Sequence, residues 1–140
     1  MFWLIFTGIF ELFGKQPAQQ LGVPFDLDFS IHPLRVTAYK PDYIDMTVTM
    51  RNVTDSELLT SLVVKVPKGL GFEQSTLTQE RELRFGYLKP GEEKKFRVQI
   101  YSSQRTRPGD YPVGLFAISH YRNYGYVLNE VKKSFVLRAV

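Results

Sequence analysis

The chain contains no cysteine, a single tryptophan and only two histidines. Without thiols it has no disulfide, no thiolate metal site and no cysteine nucleophile, and cysteine usage leaves the redox compartment open. With His32 and His120 as the only imidazoles, a three-ligand zinc site has to borrow carboxylates from scattered positions. No metal or other cofactor is therefore expected. There is no low-complexity tract and no internal repeat. Neither sign of charge dominates: eighteen Lys and Arg stand against fourteen Asp and Glu, a formal net charge of +4. The cations are spread from Arg51 to Lys133 among acidic neighbours such as Glu92, Glu93 and Asp110, so nucleic acid is not an expected partner.

What remains has the size and balance of one folded domain. At 140 residues, 44% hydrophobic and 23% charged, the chain is able to bury about two-thirds of its unfolded surface. An aromatic content of 14%, mostly Phe and Tyr, leans toward strands.

Residues 1–13 differ from all that follows. Phe2, Trp3, Leu4, Ile5, Phe6, Ile9, Phe10, Leu12 and Phe13 are interrupted only by Thr7, Gly8 and Glu11. This is shorter than the roughly 20 apolar residues of a spanning helix. No Lys or Arg precedes it and Lys15-Gln16-Pro17-Ala18 is a poor cleavage site, so a secretory signal does not fit well. At helical spacing Phe2, Ile5, Phe6, Ile9 and Phe13 form one stripe, and Trp3 and Phe10 extend the apolar surface around the circumference. A helix apolar on all sides needs cover from its own domain, another copy of the chain or a membrane surface. The expected organisation is an apolar helix over 1–15, a polar linker at 16–20 containing the helix-stopping Pro17, and a β-domain over 21–140.

From Phe25 onward the period is two. Phe25, Leu27, Phe29 and Ile31 alternate with Asp26, Asp28 and Ser30, and after the break at His32-Pro33 the pattern resumes at Leu34, Val36 and Ala38. This predicts one edge strand kinked at the proline. Ile44 to Met50, Leu58 to Val66 and Leu83 to Tyr87 supply three further strands. The turns Lys89-Pro90-Gly91-Glu92 and Arg107-Pro108-Gly109-Asp110 introduce a fifth, about Glu93 to Ser102, and a sixth, about Tyr111 to Tyr121. The sixth is apolar on both faces, as a central strand should be, and a seventh runs from about Val131 to Val140. Between the third and fourth lies a polar connection, Glu73 to Glu80. The fold class expected is all-β: a seven-stranded immunoglobulin-like antiparallel sandwich behind a short apolar N-terminal helix.

Four segments, Val48-Thr49-Met50-Arg51-Asn52, Val63 to Leu70, Leu88-Lys89-Pro90-Gly91-Glu92 and Pro108-Gly109-Asp110-Tyr111, resemble those of small accessory sandwiches of archaea and bacteria. These are the NEW3 domains of glycosidase-associated proteins and the CARDB-type adhesion modules. The resemblance covers about residues 40–140 and rests on turn and core signals. It implies a non-catalytic binding, spacing or surface-attachment role.

Candidate chemistry is sparse. Ser119 and His120 are adjacent, so on a continuous strand they point to opposite faces and do not form a nucleophile and base. Asp26 and Asp28 share one face of an edge strand, where paired acids deter edge-to-edge association. Asn52-Val53-Thr54 satisfies the glycosylation pattern on an expected loop. Tyr111 is placed like the tyrosine of a Greek-key corner, whose hydroxyl bonds backbone a few residues upstream. The best binding candidate connects the sixth and seventh strands: Tyr121, Arg122, Tyr124 and Tyr126 combine large aromatic area with a forked cationic donor. In an immunoglobulin topology that loop shares an end with Asn52 to Glu57, Lys89 to Glu92 and the start of the first strand.

The expected function is a non-enzymatic interaction or attachment module. Its docking segment, Phe2, Trp3, Ile5, Phe6, Ile9, Phe10 and Phe13, would mediate homo-oligomerisation, protein docking or contact with a membrane surface. The alternative is a carbohydrate-binding or enzyme-accessory domain that uses the Tyr121 to Tyr126 loop.

Overall fold

In β3 (Asp42–Asn52) the alternation of the sequence becomes the alternation of the sheet: Ile44, Met46, Val48 and Met50 are fully buried, while Tyr43 and Arg51 face solvent. The computed structural model describes residues 23–140, and these hold eight strands. Besides β3 they are β1 (Phe25–His32), β2 (Arg35–Val36), β4 (Leu58–Lys65), β5 (Glu80–Leu88), β6 (Glu93–Ser102), β7 (Gly109–His120) and β8 (Val127–Ala139). They form two sheets, ordered β1-β3-β6 and β2-β8-β7-β4-β5. The inward side chains of both sheets, among them Phe25, Leu27, Leu62, Val64, Val98, Ile100, Val113, Leu115 and Leu137, make one core. Each such side chain contributes about 1.5 to 3 kcal/mol when fully buried. The protein is an all-β sandwich whose arrangement is consistent with an immunoglobulin-like domain. As its two-sided apolar pattern requires, β7 occupies the centre of the five-stranded sheet.

The strand count differs from the expected seven because the first segment is not one kinked edge strand. After pairing along β3 as far as His32 opposite Asp45, the chain crosses at Pro33 to the other sheet. There Arg35 and Val36 run parallel to Arg138 and Ala139, the one parallel pairing among the described strands. Val36 is buried, and its carbonyl accepts the Val140 N–H at 3.0 Å. A proline has no N–H to offer a ladder, so the position between two sheets suits it.

Both open sides of the sandwich are sealed by aromatic pairs. Phe29 stacks on Phe135 at 4.6 Å along one side, and Phe85 meets Phe96 at 4.8 Å along the other. On the first side Lys133 Nζ also donates to the edge carbonyl of Leu27 at 2.7 Å. Asp28, 3.4 Å from Lys133, and Asp26, 3.7 Å from Arg51, serve as partners in exposed ion pairs.

The connection from β4 to β5 is better ordered than its polar composition suggests. Gly71 exchanges two backbone hydrogen bonds with Tyr101, at 3.1 and 2.8 Å, and Gln79 Nε2 ties the carbonyls of Leu70 and Thr76 at 3.0 and 2.8 Å. A side chain at Gly71 would sit 2.5 Å from Thr76 Cα, so the close approach demands glycine.

The helix expected over residues 1–15, the linker at 16–20 and all the docking residues from Phe2 to Phe13 lie outside the described residues. Among the described residues no helix is long and apolar enough to cross a membrane.

Candidate functional site

The loop between β7 and β8 is a tight hairpin built by its own backbone. Tyr121 N–H donates to the Tyr126 carbonyl at 2.9 Å, closing the base. Asn123 Oδ1 accepts the Gly125 N–H at 2.8 Å, a side-chain mimic of a backbone turn. Arg122 takes a left-handed conformation, φ 68°. Tyr121 and Tyr126 therefore stand exposed on either side of the base, and the Arg122 guanidinium lies 5.1 Å from the Tyr121 ring.

Tyr124 does something different. It turns back onto the five-stranded sheet, where its hydroxyl accepts the Gly86 N–H at 2.9 Å. Arg84 lies over its ring at 4.6 Å, and the ring meets His120 edge-on at 5.0 Å. The Gly86 N–H is available because the ladder between β4 and β5 slips at Thr60/Ser61, where Gly86 (φ 74°) faces Thr60 and Arg84 faces Ser61. The four loop residues singled out from the sequence are thus brought together in the chain but divided in role. Tyr121, Arg122 and Tyr126 face outward, while Tyr124 is the anchor that holds the hairpin down.

Beneath Tyr124 the buried His120 Nε2 lies 2.6 Å from Ser61 Oγ. Burial pushes the imidazole below its ordinary pKa, against the opposing pull of the nearby Tyr126 backbone and the Glu82 carboxylate. Among the described residues Nδ1 has no hydrogen-bond partner and no carboxylate orients the ring, and Ser61 is fully buried. A serine beside a histidine is the beginning of a nucleophilic pair, but here the oxygen has no exposed surface from which to attack. The arrangement supports the loop. Ser119, the neighbour considered in the sequence, is instead buried with no partner for its Oγ.

Asn52, which opens the Asn52-Val53-Thr54 pattern expected on a loop, is the last residue of β3 and fully buried. Its Nδ2 donates to the carbonyls of Ser56 and Leu88 at 2.8 and 2.9 Å, and its Oδ1 accepts from Thr54. The amide is consumed by the loop and turned away from solvent, and Asn52 closes a strand where the sequence placed it in a loop. Tyr111, by contrast, does what its position suggests: its hydroxyl donates to the Arg107 carbonyl at 2.6 Å.

One end of the sandwich gathers the candidate surface. Pro24 O accepts the Val53 N–H at 3.0 Å, Asn52 bonds Glu92 and Gly91 at 3.0 and 2.8 Å, and Leu59 at the start of β4 pairs with His120 at the end of β7. At this end Tyr121, Tyr126, Val127 and Leu128 are all exposed, Tyr126 to 64%. The next residue, Asn129, lines an open groove of about 520 Å³ with Val23, Pro24, Val53 and Leu58. The crest and the point where the chain enters the sandwich are neighbours. Sequence reasoning placed the loop but missed Ser61, Arg84 and Gly86, which position it from strands remote in sequence.

No family model matches the sequence, and no curated protein does. In fold the chain is similar to native alpha-2-macroglobulin from Escherichia coli in a structure spanning domain MG7 to the C-terminus, at 14% identity and a TM-score of 0.60. That likeness covers 84% of this chain and 16% of the other. It is also similar to a FixG-related protein from Vibrio parahaemolyticus, at 12% identity and a TM-score of 0.50, over 83% of this chain and 98% of that one. A third likeness is to the Pseudomonas fluorescens alkylpurine DNA glycosylase AlkC bound to DNA containing an abasic site analog. There the identity is 13% and the TM-score 0.52, over 85% of this chain and 32% of the other. At such identities the likeness concerns the fold: a β-rich domain that is one part of larger chains in the first and third cases and nearly the whole chain in the second.

Proposed function

We propose that the protein is a non-catalytic interaction module that docks through its apolar N-terminal segment, onto a second copy or a membrane surface. The observation that carries this reading is the position of Pro24. The described chain enters the sandwich at Val23 and Pro24, beside Asn129 and so near the exposed Tyr126, Val127 and Leu128. The resemblance of residues 40–140 to accessory and adhesion sandwiches agrees with an attachment role, as does the lack of an accessible nucleophile in the Ser61–His120 pair.

Among the described residues the core is drawn from residues 25–139, and a chain lacking residues 1–15 is expected to keep it. Light scattering of the full chain and of the shortened chain, each with and without anionic vesicles, tests the reading. The full chain should self-associate or bind vesicles, and the shortened chain should do neither. Two monomers that both ignore vesicles overturn it.

A further inference from the structure

The opposite end of the sandwich carries a second surface, which the docking role leaves unused. An open cleft of about 660 Å³ is lined by Val66, Lys68, Gly69, Thr76, Leu77, Gln79, Arg105, Arg107 and Tyr111. It lies between the connection that follows β4 and the turn that precedes β7. Among the described residues three cations line it and no carboxylate does. Acids of the adjoining segments are committed elsewhere: Glu73 Oε1 accepts the N–H groups of Leu77 and Thr78 at 2.8 and 3.0 Å, Glu80 pairs with Lys65, and Asp110 pairs with Arg138. None of Lys68, Arg105 and Arg107 has a carboxylate within ion-pair distance among the described residues.

The cleft is also held in shape before anything binds. Thr106, fully buried, accepts the Ser103 N–H at 2.8 Å and donates to the Gly69 carbonyl at 2.5 Å, which locks the arginine turn to the opposite wall. Arg105 Nη2 donates to the Ser75 carbonyl at 2.9 Å, leaving its other donors free. Between the cations Leu77 is 69% exposed and the Tyr111 ring is half-buried. An enclosed pocket would suit a small metabolite, since such sites bury most of their ligand. This cleft is open and two-sided, with guanidinium groups that match carboxylates by paired hydrogen bonds.

We propose that this cleft binds an acidic peptide segment of a partner protein, with carboxylates on Lys68, Arg105 and Arg107 and an apolar side chain against Val66, Leu77 and Tyr111. The proposal does not depend on the docking end, and together the two surfaces would let the domain bridge an attachment point and a client.

Fluorescence anisotropy of the full-length protein with a labelled peptide of sequence Glu-Glu-Leu-Glu-Glu-Phe tests it. Saturable binding that weakens with salt is expected, with a loss of about tenfold or more on Lys68→Glu combined with Arg107→Glu. Leu77→Asp should weaken binding as well, and the peptide with Gln in place of Glu should not bind. Thermal unfolding of each variant shows that the fold is intact, and Arg107→Gln serves where the double variant does not fold. Absence of saturable binding, or undiminished binding by the charge variants, overturns the proposal. Displacement of the peptide by equimolar inorganic phosphate overturns it in favour of a simple anion site, and cleft-dependent capture of anionic vesicles in favour of a membrane contact.

Discussion

Ser61 Oγ and His120 Nε2 stand 2.6 Å apart although 59 residues separate them in the chain. The regular antiparallel pairing of β4 with β7 brings them together: Leu59 faces His120 and Ser61 faces Ile118, so Ser61 and His120 are diagonal neighbours on one face of the sheet. Tyr124 then covers the ring. Replacing Ser61 by Ala leaves the buried Nε2 without a partner, which costs about 1 to 3 kcal/mol. Urea unfolding should show a lowered midpoint with an unchanged slope. An unaltered midpoint would mean that the hydrogen bond contributes nothing to the fold.

Burial holds the His120 imidazole below its ordinary value of 6.5. Between that lowered value and 6.5 the unfolded chain binds the proton and the folded chain does not, so stability rises with pH through this window. Its contribution is complete above about pH 7 and is lost as the pH falls from about 6.5 toward the folded value. Unfolding temperatures measured from pH 7.5 down to 5.5 should therefore decline in the natural protein. In His120→Gln, which cannot titrate, the decline over the same interval should be smaller. Equal slopes would remove His120 as their source.

Asn52 answers to a different kind of dependence. Its amide satisfies the carbonyls of Ser56 and Leu88 and the donors of Thr54, joining the loop after β3 to the end of β5. Asn52→Ala deletes all of these and leaves the Leu88 carbonyl without its side-chain donor, so a loss of about 2 to 3 kcal/mol is expected. Asn52→Asp keeps the acceptor but sets an oxygen against the Ser56 and Leu88 carbonyls, so it should cost at least as much as Asn52→Ala. A cost under about 0.5 kcal/mol, the size of an ordinary surface change, would refute the structural role.

The strands whose fate depends on alternation alone were legible in the sequence. In β3, β6 and β7 one face is apolar at every second residue, and a slip by one would expose the whole set. The turn Lys89-Pro90-Gly91-Glu92 was legible too, since Gly91 takes φ 78° and Glu92 Oε1 accepts the Lys89 N–H at 2.9 Å. What escaped depends on partners distant in the chain. Arg35 and Val36 form a strand only because β8 offers an edge, and two residues carry no period. Ser61 reads as a polar break in an apolar strand until the pairing of β4 with β7 sets it diagonally beside His120. The loop residues Tyr121 to Tyr126 were found by composition, but nothing local says that Tyr124 turns inward, because its partner is a backbone N–H on β5. Lys68 and Arg107 lie far apart in sequence, and the cleft that joins them exists only after both turns have formed.

The corner at Tyr111 couples two of those turns. Its hydroxyl donates to the Arg107 carbonyl at 2.6 Å, and its ring packs so close to Gly69 that an added Cβ there would lie 2.9 Å from Tyr111 Cε2. Gly69 also takes φ 108°, a conformation that side chains disfavour. Tyr111→Phe removes only the hydrogen bond and should destabilise by about 1 kcal/mol. Gly69→Ala adds backbone strain of about 1 to 3 kcal/mol and forces the ring to shift. Part of that cost comes from the ring and part from φ, and a double-mutant cycle separates them. With Tyr111→Ala the steric share is relieved, so the two substitutions together should cost less than their sum by at least about 0.5 kcal/mol. Strict additivity would place the whole penalty in the backbone and leave the Tyr111 ring without a part in fixing Gly69.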